Sequence, residues 1–221
     1  RPDAPESNWA SLDAFVEGFS NQLAKKVIDL AYLQPGVLNP IFIYGSTSVG
    51  KTHLLEGLCN RCRRTPSRKP PIFMTAEEFT TAFIQSLRGG PNFRERFQNI
   101  SLFALDDLHF LEGKITTQTE LLNLFDHLKS KRVQMVFAAN RPLSELTKLR
   151  GELTTRIESG VSCKIENPER ETLSAILRQM AFARRFVVSD EVCRFVVSRY
   201  ATHARQLSGA LNRLYAAHLT T

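Results

Sequence analysis

Eight consecutive residues, Gly45-Ser46-Thr47-Ser48-Val49-Gly50-Lys51-Thr52, follow the spacing G-x-x-x-x-G-K-[ST], and each fixed position has a chemical reason. Glycines let the backbone bend sharply and bring successive amides up to an anion with no Cβ in the way. Lys51 neutralises the outer phosphates of a nucleotide, and Thr52 offers a hydroxyl to Mg²⁺. The helix pattern that starts here, through His53, Leu54, Leu55 and Leu58, aims the positive end of its dipole at the same charge. A Gly-rich turn that binds nothing is the rival reading. Against it, the apolar run Ile41-Phe42-Ile43-Tyr44 before the loop and the helical run after it supply the context a phosphate loop requires.

A second chemical group closes the run Leu102-Phe103-Ala104-Leu105-Asp106-Asp107. A continuous apolar strand ending in two acids places carboxylates at the carboxyl edge of a parallel sheet, where the phosphate loop also opens. Asp106 is the expected Mg²⁺ ligand through water, as in a Walker B motif, and Asp107 the residue that orients or polarises an attacking water. A pair that caps a following helix is the alternative. Asn140 ends the apolar run Val133 to Ala139 and reads either as a γ-phosphate or water sensor or as a turn-former before Arg141-Pro142. Cys59 and Cys62 form a C-x-x-C, yet no second pair of Cys or His at metal spacing accompanies them. With Cys163 and Cys193 they read as core thiols of a protein in a reducing, cytoplasmic compartment.

Positioning these groups takes a parallel sheet. Ile41–Tyr44, Ile72–Met74, Leu102–Leu105, Val133–Ala139 and Val161–Ile165 are its five strand candidates. Between them lie helical patterns: one capped by Ser20 with a stripe of Leu23, Val27, Ile28 and Leu30; one opened by Thr75 to Glu78 and carrying Phe79, Phe83, Ile84 and Leu87; then Leu121 to Leu128 and Leu149 to Ile157. From Glu169 onward Leu173-Ile176-Leu177-Met180, Val192-Phe195-Val196 and Leu207-Leu211-Leu214 each repeat at helical spacing, and Phe186-Val187-Val188 reads as an extended turn before a cap at Ser189-Asp190. The expected class is therefore α/β: an αβα sandwich on a five-stranded parallel sheet, with a small carboxyl-terminal helical lid. Residues 1–10 form a Pro-rich linker or arm, 11–166 the nucleotide-binding base and 167–221 the lid.

The 221 residues, 43% hydrophobic and 23% charged, suit a globular chain, and no apolar run approaches the roughly 20 residues that span a bilayer. No signal-peptide pattern opens the sequence. A net charge of +7 permits an anionic partner. The stretch from Arg61 to Lys69, with five basic residues and no acid, reads as a solvated loop.

Taken in order, these residues resemble the AAA+ ATPases and, within them, the DnaA family of bacterial replication initiators. Phe15-Val16-Glu17-Gly18 with Ser20 to Ala24 is similar to that family's adenine-side segment, and Asn39 to Gly45 to its strand into the phosphate loop. Asp106-Asp107 resembles its Walker B pair, and Ala204 to Arg213 its sensor 2 helix. The resemblance implies an AAA+ fold that binds ATP or ADP with Mg²⁺, through Phe15, Val16, Asn21, the loop residues Gly45, Ser46, Thr47, Ser48, Val49, Gly50, Lys51 and Thr52, and His53. It also implies slow hydrolysis that acts as a switch. Arg205 would reach from the lid to the phosphates. Arg156 would be an arginine finger acting on ATP held by a neighbouring subunit, which makes ATP a glue for self-association into a filament. The helices between Thr75 and Asn99 correspond to the family's filament-shaping insertion. Ile84, Arg88 and Lys114 would face single-stranded DNA, with other replication proteins as further partners.

The sequence departs from the family at Asn140, where an aspartate is usual, at Leu108-His109, where Ile-Gln is common, and at Glu152, where an arginine often precedes the finger. Glu152 removes a positive charge from the expected subunit interface. Nothing up to Thr221 resembles the family's helix-turn-helix domain, so the chain is expected to be a fragment of an initiator or a short relative. Its rival functions are a regulator that binds an initiator or sliding clamp, a helicase loader, or a small-molecule kinase sharing the same loop.

Overall fold

A sheet of parallel strands is covered by helices on both faces, so its strands run apolar throughout rather than alternating. Of the five strands, β1 (Ile41–Tyr44), β2 (Pro71–Thr75), β3 (Leu102–Asp106), β4 (Gln134–Ala139) and β5 (Val161–Lys164), the first four are largely apolar, whereas β5 carries Ser162 and Lys164. The computed structural model describes residues 11–200 and 204–220, without the side chains of 200, 204, 205 and 218–220. It joins the strands in the order β2-β3-β4-β1-β5, each neighbouring pair parallel. Every residue of the central strands β3 and β4 is buried, whereas the edge strand β5 buries only Cys163. The arm expected at residues 1–10 lies outside the described residues.

Successive strand residues point to opposite faces, and the sequence sorts its side chains accordingly. On one face Phe42, Phe103, Leu105, Met135 and Phe137 meet α3 (Ala76–Leu87), α4 (Ile115–Ser130) and α5 (Gly151–Glu158) in a core rich in aromatic rings. Phe79, Phe93, Phe97 and Phe103 form a continuous edge-to-face chain, with centroids 5.0, 5.1 and 5.4 Å apart. On the other face Ile41, Ile43, Leu102, Ala104, Val136 and Ala138 receive α1 (Gln22–Leu33) and α2 (Lys51–Arg63) through Val27, Ile28, Leu54, Leu55 and Leu58. Cys59 and Cys62 belong to this second core. All four cysteines are free and buried, and burial pushes the Cys59 thiol up to about 12. Among the described residues no cluster of three His, Cys, Asp or Glu could hold a metal ion.

Helix α3 starts as its sequence requires, with Thr75 and Glu78 forming a reciprocal capping box. Helix α1 does not. Its N-cap is Asn21, not Ser20, whose hydroxyl donates instead to Glu169 at 3.2 Å. The buried stripe of α1 is Ala24, Val27, Ile28 and Ala31, a complete i, i+3, i+4, i+7 set, so Leu23 falls outside it and is 60% exposed. Three further helices, α6 (Arg170–Ala183), α7 (Asp190–Tyr200) and α8 (Ala204–Thr220), pack Leu173, Leu177, Cys193, Val196, Leu207 and Leu211 into a core of their own. Val197 takes the buried place expected of Phe195, which is 58% exposed. Ser189 caps α7 by accepting the Val192 amide at 3.3 Å, and the preceding Phe186 to Val188 form no strand. No helix of the described residues is long and apolar enough to cross a membrane.

Candidate functional site

The chain leaves β1 at Tyr44, crosses the carboxyl edge of the sheet and re-enters regular structure at Lys51. Gly50 caps α2 with φ of 108°, a left-handed conformation that L side chains rarely adopt. Gly45 is required for another reason: a Cβ there would lie 2.1 Å from the Ile165 carbonyl oxygen, so glycine lets the loop pass over the end of β5. The first bond of α2 runs from the Leu54 amide to Gly50 O at 3.1 Å. The amides of Lys51, Thr52 and His53 therefore have no carbonyl within the helix and point out of its amino end. Lys51 Nζ donates to Gly45 O and Ser46 O, both at 2.8 Å, which leaves its third hydrogen for an anion. Ser46 Oγ donates to Asn167 Oδ1 at 2.7 Å and ties the loop to the segment before α6.

The two acids at the tip of β3 take different environments. Asp106 is 1% exposed; its Oδ2 accepts from Thr52 Oγ1 at 2.5 Å and its Oδ1 from the Asp107 amide at 2.7 Å. Asp107 turns out of the strand with φ of 54° and presents a half-exposed side chain to the cleft. Burial holds the Asp106 carboxyl above the usual carboxylate range, against the Thr52 hydrogen bond that favours its ionised form. Burial likewise pulls the Lys51 ammonium below its ordinary value, while the two aspartates work against that shift. A hydroxyl and one buried carboxylate in contact suit Mg²⁺, which keeps several waters and shares its coordination with phosphates, so no larger acid cluster is needed.

Around these groups opens a cleft of about 750 Å³. The base contributes Thr47, Ser48, Lys51 and Thr52 from the loop, with Asp107 and Asn140 from the strand tips, and the lid contributes Met180 and Ser208. A smaller cavity of about 120 Å³ lies beside it, lined by Phe15, Val16, Asn21, Val49 and His53 on one side and by Ile176 and Gln179 on the other. The Asn21 amide holds the wall together, accepting from the Gly18 amide at 2.9 Å and donating to Val16 O at 3.0 Å. The His53 ring meets Phe15 edge-on at 5.4 Å and its Nε2 lies 3.0 Å from Ser11 O; burial lowers its pKa.

Other predicted residues stand apart from this cleft. Arg156, on α5, lines neither cavity and clasps Asp126 through Nε at 2.9 Å and Nη2 at 3.0 Å on an exposed surface. Ile84 is 40% exposed on α3, the exposed Arg88 caps that helix, and Lys114 precedes α4. Arg205 falls in the first turn of α8, and its side chain lies outside the described residues. Four cleft residues went unassigned by the sequence: His109, Phe110, Met180 and Ser208. His109 Nδ1 is buried without a hydrogen-bond partner among the described residues and lies 4.0 Å from Asp107 Oδ1. Its place two residues after the acid pair was the available signal. Met180 and Ser208 carry no local signal, because only the lid's packing brings them over the loop.

Residues 7–164 match the family model of the bacterial DnaA ATPase domain. The chromosomal replication initiator protein DnaA of Lachnoclostridium phytofermentans is 31% identical over 211 residues, covering 93% of this chain and 47% of that protein. Among solved structures, domain III of the Thermotoga maritima initiator DnaA superposes with a TM-score of 0.92 at 31% identity, covering 98% of this chain and 92% of that one. An initiator DnaA bound to AMPPCP and single-stranded DNA superposes with a TM-score of 0.85 at 29% identity, covering 94% and 65%. The chain spans about half the length of the curated relatives it matches.

Proposed function

This chain belongs to the bacterial DnaA ATPase-domain family, and from that premise we propose that it is an ATP-dependent AAA+ module of replication initiation, an assembly switch that hydrolyses its nucleotide slowly. The observation that carries the reading is the cleft, in which the phosphate loop, Asp107, Asn140 and the lid residues Met180 and Ser208 face one volume. Amides 51–53 and Lys51 bind the phosphates, and the small cavity behind Phe15, Val16 and His53 takes the base. Thr52 and Asp106 would hold Mg²⁺, which would supply charge neutralisation at the phosphates. Asp107 accepts a hydrogen from the attacking water and aligns it, with Asn140 at the neighbouring strand tip to sense the terminal phosphate.

Because base and lid both wall the cleft, the occupant sets the lid's position. Arg205 falls in the first turn of α8, the helix that brings Ser208 to the cleft, and that position supports its role as the lid's contact to phosphate. Arg156 faces solvent away from its own cleft, as a residue acting on a neighbour's ATP must. Its partner Asp126 holds the guanidinium in place until assembly. Exposure of Ile84 and Arg88, with Lys114 half-buried, together with the relative solved with AMPPCP and single-stranded DNA, supports engagement of single-stranded DNA by these residues. The regulator, loader and kinase readings have no observation here that favours them.

Sedimentation velocity tests the reading. The chain should assemble with a non-hydrolysable ATP analogue, more so with single-stranded DNA, and stay monomeric with ADP. Arg156→Ala should bind nucleotide normally yet fail to assemble. A monomer under every condition despite bound nucleotide would refute the switch.

A further inference from the structure

The amino-terminal edge of the sheet, opposite the nucleotide cleft, accounts for the net positive charge of the chain. Two segments there, Arg61 to Lys69 before β2 and Lys129 to Arg132 before β4, hold eight Lys and Arg and no Asp or Glu. The other 21 of the 29 cations are matched by 22 acids, so the rest of the chain is electrically balanced.

Strand pairing brings the two segments side by side. Pro71, Leu102 and Gln134 occupy one row across β2, β3 and β4. Lys69 and Arg132 each stand two residues before that row, on strands two apart, a separation of about 10 Å at the usual strand spacing. Ser101 joins them, its Oγ donating to Lys69 O at 2.6 Å and its carbonyl accepting the Gln134 amide at 3.3 Å. The approach to β3 between the two segments, Gln98 to Ser101, is uncharged. The edge thus presents two positive ridges with a neutral furrow between them.

The solvated loop expected from the sequence is only part of what is found. Arg61 and Arg68 both stack on the Tyr32 ring, at 4.3 and 4.4 Å, Arg61 Nη1 also pairs with Asp29 at 3.3 Å, and Arg68 Nη2 donates to Tyr32 O at 2.5 Å, which fixes one ridge. Arg61, Arg63 and Lys129 lie in the last turns of α2 and α4, where cations complement the helix dipole. That account does not reach Lys69, Lys131 and Arg132, which lie beyond the helix ends and are exposed. Arg132 holds φ of 56° at the position after α4 where glycine is the usual and easier choice, so a cation stands there against backbone preference.

We propose that this edge docks duplex nucleic acid through its phosphates, without reading sequence and without involving the nucleotide cleft, a strand length of about 15 Å away. Two ridges about 10 Å apart match phosphate lines flanking a duplex groove, which are roughly 6 to 12 Å apart. A lipid headgroup layer has no such spacing.

The test measures binding of a fluorescein-labelled duplex of about 20 base pairs and arbitrary sequence by anisotropy, between about 50 and 200 mM salt. It compares the chain with a triple variant, Lys69→Gln, Lys131→Gln and Arg132→Asn; asparagine tolerates the left-handed position. Each phosphate contact contributes about 0.9 to the slope of log affinity against log salt, so the variant should lose about 2 to 3 from that slope and bind roughly 25- to 125-fold more weakly at about 200 mM salt, with a larger deficit at lower salt. Its melting temperature and its affinity for fluorescent ADP should match those of the parent chain, reporting on fold and cleft separately. An unchanged slope and affinity in the variant would overturn the proposal, as would absence of duplex binding at the lowest salt. Tighter binding to phosphatidylserine vesicles than to duplex, lost in the same variant, would overturn it in favour of a membrane surface.

Discussion

Replacing Gly50 by alanine tests the architecture of the phosphate loop, and Gly36 supplies its control. Both glycines hold left-handed backbone, with φ of 108° and 88°. An L side chain in that region costs about 1–2 kcal/mol, and alanine returns about 0.4–1 kcal/mol by restricting the unfolded chain. A Cβ at Gly36 meets nothing within 4 Å, so Gly36→Ala carries the backbone cost alone, a net loss of about 1 kcal/mol. A Cβ at Gly50 lies 3.0 Å from Phe15 Cε2, and the half-buried Phe15 must give by a few tenths of an ångström. That contact brings the Gly50→Ala loss to about 1–2 kcal/mol, and at about 2–4 °C per kcal/mol for a chain of this size its melting temperature falls by about 2–8 °C. Nucleotide binding separates the two variants. Phe15 walls the smaller cavity, and the methyl stands at the amino end of α2, so Gly50→Ala should weaken a fluorescent ATP analogue by at least about tenfold, ~1.4 kcal/mol. Gly36→Ala should bind as the parent does. Melting curves and equilibrium titration read both quantities, and parental nucleotide affinity in Gly50→Ala would refute this account of the loop.

Asp106→Asn should uncouple stability from function. The folded carboxyl titrates above its unfolded value, so the ionised form costs stability that is complete above the folded pKa and vanishes below the unfolded one. The variant should therefore melt higher than the parent near neutral pH, with an advantage that shrinks as pH falls through the raised folded pKa and is gone below the ordinary carboxylate range, while Mg²⁺ no longer strengthens its ATP binding; melts across pH with a Mg²⁺ titration check both. Phe97→Ala removes a ring that is 1% exposed in the edge-to-face chain and should cost about 3–5 kcal/mol by urea denaturation, with nucleotide affinity kept because the ring lies on the face away from α2.

The sheet was legible because a parallel strand buried on both faces leaves a continuous apolar run, and the runs at 41–44, 102–105 and 135–139 have no polar interruption before their functional tips. The phosphate loop and the acid pair were legible because their chemistry is local in sequence. What escaped depends on three-dimensional phase. Leu23 and Phe195 look like core residues in a hydrophobic stripe, yet each sits one residue outside the arc that its helix buries. Ser20 resembles a cap, but its hydroxyl is drawn to Glu169, 149 residues away. Met180 and Ser208 reach the cleft only because α6 and α8 pack over the loop. The charged edge escaped as well: Lys69 and Arg132 are far apart in the chain and become neighbours only through strand register.

The most direct test of the central claim is the affinity of Lys51→Ala for ATP with Mg²⁺, set beside its melting temperature. Lys51 is the buried cation at the loop, proposed to bind the phosphates, and one charge-assisted bond lost there amounts to about 1.5–3 kcal/mol, or roughly ten- to a hundredfold in affinity. The account predicts at least that loss from a variant that remains folded; a folded Lys51→Ala that binds ATP as tightly as the parent chain would contradict it.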